Sequence, residues 1–231
     1  MLSTGERQHP TAMDPSRTKV LGLTHTAAPS SSPEQASMSP ESLQHIWVVT
    51  GPAGSGKSTV GRYLQQELGV PFIEGDDYHP PSNKAKMASG IPLTDADRWD
   101  WLISLRSAAT TFLTPSTPST PAPRGVVVAC SALKKKYRDV MRVAAYGSSN
   151  VRIHFVYLKL DPKTLYARVS ARQAHYMKPG MVESQLKDLE EPGQAEWDVL
   201  TVNVEGTMAD VQNGVMRAVE DVLDGYAAGA L

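Results

Sequence analysis

Cysteine is almost missing from this chain of 231 residues. Cys130 is the only one, so no intramolecular disulfide can form and nothing in the sequence points to an oxidising compartment. Charge of one sign is missing too: 23 Lys and Arg stand against 24 Asp and Glu, a formal net charge of -1. No global field draws such a chain to nucleic acid or to an acidic membrane, so any anion site has to be local. No apolar run approaches the roughly 20 residues that span a bilayer, and the N-terminus lacks the apolar core of a secretory signal. Glu6, Asp14 and Glu34, with sparse arginines around them, argue against a mitochondrial transit peptide. These absences lead us to expect a soluble, cytoplasmic protein with neither nucleic-acid nor membrane partners.

What is there reads as one domain with additions. Hydrophobic residues at 41% and charged residues at 20% are an ordinary globular balance, and the length suits a single sizeable core. Residues 1–44 are rich in Ser, Thr, Pro and Ala without sustained periodicity and read as a flexible tail. The folded domain is expected over 45–231. Inside it, the Pro/Thr stretch at 114–124 cannot enter a helix or a central strand and reads as a surface loop.

Strand and helix signals alternate along that domain. "HIWVVT" from His45 reads as a buried strand, and Val60, Leu64 and Leu68 at i, i+4, i+8 predict a helix over 57–68 that stops at Gly69. "PFIEG", "GVVVAC", "VRIHFVYLKL" and "DVLTVNV" read as four further strands, nearly continuous in apolar residues as parallel strands covered on both faces tend to be. Thr94 and Asp97 form a capping box before a helix whose stripe is Trp101, Leu105, Ala108 and Phe112. The last helix is expected from Thr207, with Val211, Val215, Val219 and Val222 inward. The pattern predicts a three-layer α/β/α sandwich around a five-stranded parallel sheet, with ligands bound beyond the carboxyl ends of the strands.

At that edge lies "GPAGSGKST". Gly51, Pro52, Ala53, Gly54, Ser55, Gly56, Lys57 and Ser58 fit G-x-x-x-x-G-K-[ST] in full, between a predicted strand and a predicted helix, and Thr59 follows. Glycines let backbone N–H groups converge on phosphate oxygens, and the helix terminus adds partial positive charge. Lys57 is placed to reach the β and γ phosphates, and the Ser58 hydroxyl to ligate Mg²⁺. ATP and Mg²⁺ are the cofactors this loop implies. It serves GTPases, motors, small-molecule kinases and plain binding modules alike. A GTPase would carry Asn-Lys-x-Asp late in the chain, whereas "NKAK" at 83–86 lacks the aspartate and comes early. A motor would end its metal strand in Asp, whereas "VVVACS" ends in cysteine and serine. Some other carboxylate must serve, and Asp76 and Asp77 at the end of "PFIEG" are the candidates.

Taken together, "GPAGSGKST", "EGDDYHPPSNKAKMASGIPLTDADRWDWL", "CSALKKKYRD", "ARQAHYM", "ESQLKDLEEP" and "DVLTVNV" resemble the gluconokinase family in order and spacing, from about His45 to the C-terminus. The resemblance implies ATP-dependent phosphorylation of D-gluconate at its 6-hydroxyl, a fold like that of the P-loop nucleoside-monophosphate and shikimate kinases with a mobile lid, here about 168–185, and a homodimer. Where many members read "DRxPW", this chain has Arg98-Trp99-Asp100-Trp101. The alternatives are a related kinase of shikimate or another small acid, and a nucleotide-binding regulatory module without turnover.

On this reading Asp76 orients or deprotonates the accepting hydroxyl and joins Ser58 near the metal. Arg98 offers a planar fork to the sugar-acid carboxylate. His79 either binds substrate or packs in its turn. Ser131, Lys134 and Arg138 follow a strand end, the last two at i, i+4 on one helical face, and are expected to bind substrate carboxylate or incoming phosphate. Arg168 and Arg172, again i, i+4, are the expected catalytic cations of the lid. His175 and Gln185 are further substrate candidates, and Cys130 reads as a small buried residue rather than a nucleophile.

Overall fold

The computed structural model describes residues 43–171 and 179–231. Five strands, β1 (Gln44–Thr50), β2 (Phe72–Glu74), β3 (Gly125–Ala129), β4 (Val151–Lys159) and β5 (Val199–Asn203), form one sheet in the order β2-β3-β1-β4-β5. All four pairings are parallel. The helices among the described residues are α1 (Lys57–Leu68), α2 (Pro81–Ala88), α3 (Asp95–Phe112), α4 (Lys135–Tyr146), α5 (Pro162–Ala171), α6 (Pro179–Asp188) and α7 (Met208–Ala227). None is long and apolar enough to cross a membrane.

Strand parity builds the three layers. Ile46 and Val48 of β1 face Trp101, Leu102 and Leu105 of α3 and Tyr137 and Met141 of α4. Trp47 and Val49 face the opposite way, against Val60 and Leu64 of α1 and Val211, Val215 and Val219 of α7. A strand covered on both sides has no polar face to keep, which is why these segments read as unbroken apolar runs. Capping boxes start α3 at Thr94 with Asp97 and α7 at Thr207 with Asp210. The buried stripe of α3 is Trp101, Leu102, Leu105 and Ala109, continued by Leu113, whereas Phe112 is exposed. The expected stripe through Ala108 and Phe112 is one residue out of phase at its end. Periodicity missed α2 and the 3-10 turn at Gly75–Tyr78, which are too short to show a repeat.

Two cations expected at the ligand hold the fold instead. Arg138 is 1% exposed; its Nε and Nη2 donate to the two Glu196 oxygens at 2.7 Å each, and its Nη1 to the Ala132 and Leu133 carbonyls at 3.2 Å. Its donors are spent inside the protein. The guanidinium in turn holds the Glu196 carboxyl down to about 2, and Arg142 adds bonds to Glu196 and Asp198. Lys134 is the N-cap of α4, and its Nζ bridges Asp95 at 3.2 Å and Asp188 at 2.9 Å. The i, i+4 spacing put Lys134 and Arg138 on a common face, but it could not say that this face turns toward acids from other parts of the chain.

A cluster of rings closes one flank of β1 and β4. His45 and His154 approach at 3.1 Å, Nδ1 to Nε2, with Trp47 stacked on His154 at 4.5 Å and Tyr226 edge-on to both histidines. Burial, with Arg152 nearby, lowers His45 to about 4; burial, with His45 and Arg152, lowers His154 to about 3.

Two stability outcomes follow from these contacts. Because both histidines stay neutral in the native state while the unfolded chain takes up protons below about 6.5, stability is intact above that pH. It falls between pH 6.5 and 4, by roughly 1–2 kcal/mol per histidine at pH 5. Urea unfolding at pH 7.5 and pH 5 checks this, with His154→Gln expected to shrink the difference. Arg138→Ala, which leaves the buried Glu196 with Arg142 as its remaining guanidinium partner, should cost up to about 3–5 kcal/mol in the same assay, without weakening ligand binding by the protein that remains folded.

Candidate active site

The site grows from a helix start that no side chain caps. α1 begins at Gly56 with no side-chain cap and no acidic residue in its first turn, so its leading N–H groups are left for an external anion. Gly54 and Gly56 sit at φ 88° and 104°, in the left-handed region that an L side chain avoids. A Cβ on Gly54 would also lie 2.6 Å from Val169. Lys57 Nζ donates to the Pro52 carbonyl at 3.1 Å, folding the lysine back over the loop. The Ser55 hydroxyl is buried with no hydrogen-bond partner among the described residues. Thr50 Oγ1 and Gly51 N–H both donate to the Ser131 carbonyl, at 2.5 and 3.4 Å, tying the tips of β1 and β3 together.

A cavity of about 340 Å³ opens on this loop. It is lined by Ala53, Gly54, Gly56, Lys57, Ser58 and Thr59 on one side, and by Asp76, His79, Arg98, Trp101, Ser131 and Gln185 on the other. Most of the residues singled out in the sequence therefore meet in one space, although they come from segments as far apart as 53 and 185. Of the two adjacent aspartates, Asp76 borders the cavity and Asp77 does not.

Glu74 also lines it and was missed by the sequence reading. It ends β2 and hydrogen-bonds Ser58; burial raises its carboxyl above the usual range, with Asp76 and Asp77 adding and Ser58 and Lys57 opposing. Its signal was in plain view, since it is the last strand residue of "PFIEG", two positions before Asp76. With Ser58 and Asp76 it makes an all-oxygen donor set beside a phosphate cradle, which suits a hard cation such as Mg²⁺. Among the described residues no group of three or more His, Cys, Asp or Glu could hold a metal alone. A Mg²⁺ here would therefore share its ligands with a phosphate chain.

The wall opposite the loop is stiff. The His79 ring stacks on Trp101 at 4.1 Å and 16°, and Trp101 Nε1 donates to the Gly75 carbonyl at 2.7 Å. Gly75 itself has no room for a side chain, because a Cβ would lie 2.3 Å from the Ala129 carbonyl oxygen. Burial takes His79 down to about 4, with Asp76 pulling the other way and Arg98 and Lys84 pushing further down. Arg98 donates from Nη1 to the Tyr137 hydroxyl at 2.9 Å and to Asp188 at 3.1 Å. Its remaining nitrogens have no partner among the described residues. Lys134, through Asp188, thus supports Arg98 rather than a ligand. Gln185 accepts the Ala53 N–H at 2.7 Å, pinning α6 to the phosphate loop.

The remaining expectations fall elsewhere. Arg168 borders a second hollow of about 350 Å³, which shares Gly54, Gly56 and Thr59 with the first and continues along Val204, Gly206 and Met208. Its Nη2 donates to the Val204 carbonyl at 2.5 Å, so it stands on the far side of the loop from Asp76. Sequence spacing could not tell one side from the other. Arg172 and His175 lie outside the described residues. Cys130 is buried behind the cavity and pushed up to about 12, the opposite of an activated thiol.

Comparison with known proteins agrees with this geometry. A family model described as an AAA domain matches residues 46–192. The chain is 42% identical to a probable gluconokinase of Schizosaccharomyces pombe over 78% of this chain and 87% of that one. It is 38% identical to the thermoresistant gluconokinase of Escherichia coli over 76% and 94%. The crystal structure of a gluconokinase from Sinorhizobium meliloti superposes with a TM-score of 0.68 at 34% identity, covering 82% of this chain and 99% of that one. With relatives of that identity and coverage, the chain belongs to the gluconokinase family.

Proposed function

We propose that this protein transfers the γ-phosphoryl group of ATP to the 6-hydroxyl of D-gluconate. The observation that carries the reading is the single cavity in which the phosphate loop, Asp76, His79 and Arg98 meet. A phosphate donor and a hydroxylated acid fit side by side there, and phosphoryl transfer asks mainly for that alignment and for neutralised charge.

The loop amides and Lys57 grip the β and γ phosphates. Ser58 and Glu74, already hydrogen-bonded to each other, would hold Mg²⁺ together with the phosphate oxygens. When bound, the ion supplies charge neutralisation across the β and γ groups. Asp76 accepts the proton of the attacking hydroxyl or fixes its lone pair in line. Arg98 presents its free edge to the gluconate carboxylate, while Asp188 and Tyr137 hold the other edge. Ser131 and Gln185 border the space between donor and acceptor. Arg168 is assigned to the nucleotide's base and ribose side, since the hollow it borders runs away from the acceptor cavity along Val204 and Met208.

A coupled assay of ADP release with gluconate, shikimate, glycerate or water as acceptor tests the reading. Turnover is expected with gluconate; turnover with shikimate alone, or ATP binding without turnover on any acceptor, overturns it. Asp76→Asn should lower kcat by about 10²–10⁴ with ATP affinity nearly intact. Glu74→Gln should raise the Mg²⁺ concentration needed for half-maximal rate while leaving the KM for gluconate close to the parent value, a split read from metal titrations at saturating ATP.

A further inference from the structure

His79 faces the cavity, and a second buried side chain determines what it can offer there. Asn83 lies in the first turn of α2, 2% exposed. Its Nδ2 donates to the Asp97 carbonyl at 2.6 Å and stands 3.3 Å from His79 Nδ1. The first contact fixes the amide orientation, because a carbonyl oxygen can only accept and only the NH₂ end can donate. The same NH₂ therefore points its second hydrogen at His79. A nitrogen that receives a hydrogen bond must carry a lone pair, so Nδ1 is unprotonated and the ring proton sits on Nε2.

We propose that Asn83 is a positioning residue that holds His79 as the neutral Nε2–H tautomer, so that the acceptor cavity meets a substrate hydroxyl with an uncharged donor. The inference rests on the acceptor being a hydroxylated acid, as argued above. Protonating Nδ1 would set two donors face to face at 3.3 Å and would cut the ring's tie to α2. The stack on Trp101, itself bonded to Gly75, holds the plane of the ring. Charged groups around the ring are Asp76 from the 3-10 turn, Lys84 from α2 and Arg98 from α3. Chemically the division suits a polyol acid. Arg98 takes the carboxylate with its charge, and His79 takes a hydroxyl that needs direction but no charge. A cationic imidazole beside Arg98 would invite a second anion into the same space.

Nitrogen-15 NMR of ring-labelled histidine in the full chain, assigned with His79→Gln, tests this without any substrate. The expected spectrum shows His79 as one neutral species with Nε2 protonated, unchanged between pH 7.5 and 5.5. An Nδ1–H tautomer, or a cation anywhere in that range, overturns the proposal. Asn83→Ala should let the ring titrate between pH 5 and 7 and exchange tautomers. Loss of one aligned hydrogen bond should also raise the KM for gluconate by up to roughly tenfold, with kcat and the KM for ATP much less affected. Asn83→Ser, which keeps a donor, should recover part of the loss. An Asn83→Ala protein with parental tautomer and parental KM overturns the proposal. Should Asn83→Ala fail to fold, the parent spectrum still decides. Absence of gluconate turnover with the expected spectrum would instead remove the substrate reading and leave the Asn83 to His79 assignment standing.

Discussion

An α-helix leaves its first amide hydrogens without partners, and in this protein every consequence of interest comes from what is done with those of α1. Two other helix starts, at Thr94 and Thr207, receive a hydroxyl and a carboxylate from their own chain. α1 receives only Gly56 and open cavity. An unmet set of donors inside a protein costs stability, and here a phosphate chain is the group of matching charge and shape. The fold-back of Lys57 and the hydrogen bond from the Ser58 hydroxyl to Glu74 orient further groups toward the same point.

The parallel sheet converts that local feature into a two-substrate site. Because β1, β2 and β3 run the same way, their carboxyl ends lie along one edge. The phosphate loop, Asp76 and Ser131 follow those three ends in turn. Helix α3 then crosses this edge with Trp101 and Arg98, and α6 reaches it from the other side through Gln185 and Asp188. Gln185 touches the nucleotide loop while Asp188, three residues on, holds the arginine of the acceptor wall. One helix therefore registers both halves of the cavity.

Charge is handled by separation. Near the C-terminal end of the sheet the acids Glu74 and Asp76 remain near phosphate and hydroxyl chemistry. Elsewhere the acids Glu196, Asp198, Asp95 and Asp188 absorb Arg138, Arg142 and Lys134. A near-zero net charge thus coexists with a local anion site, because the loop amides, Lys57 and Arg98 face the cavity. His79, kept neutral, belongs to the same economy of charge.

The linear chain was enough to establish the layered parallel fold and the phosphate loop. Both depend on local pattern: unbroken apolar strands, a 3.6-residue repeat, a glycine motif between them. It was enough as well to bring Asp76, His79, Arg98, Ser131 and Gln185 forward as residues of chemical interest. Only the tertiary structure decided which way each side chain turns. Arg138 and Arg142 were claimed by Glu196, Lys134 by Asp95 and Asp188, and Arg168 by the far side of the loop. Glu74, passed over as a strand residue, came to rest against Ser58. Spacing along a helix or strand specifies a shared face, and that much is covalent geometry. Whether the face meets a ligand, a carboxylate or another strand is set by groups tens of residues away, whose position exists only once the sheet has assembled.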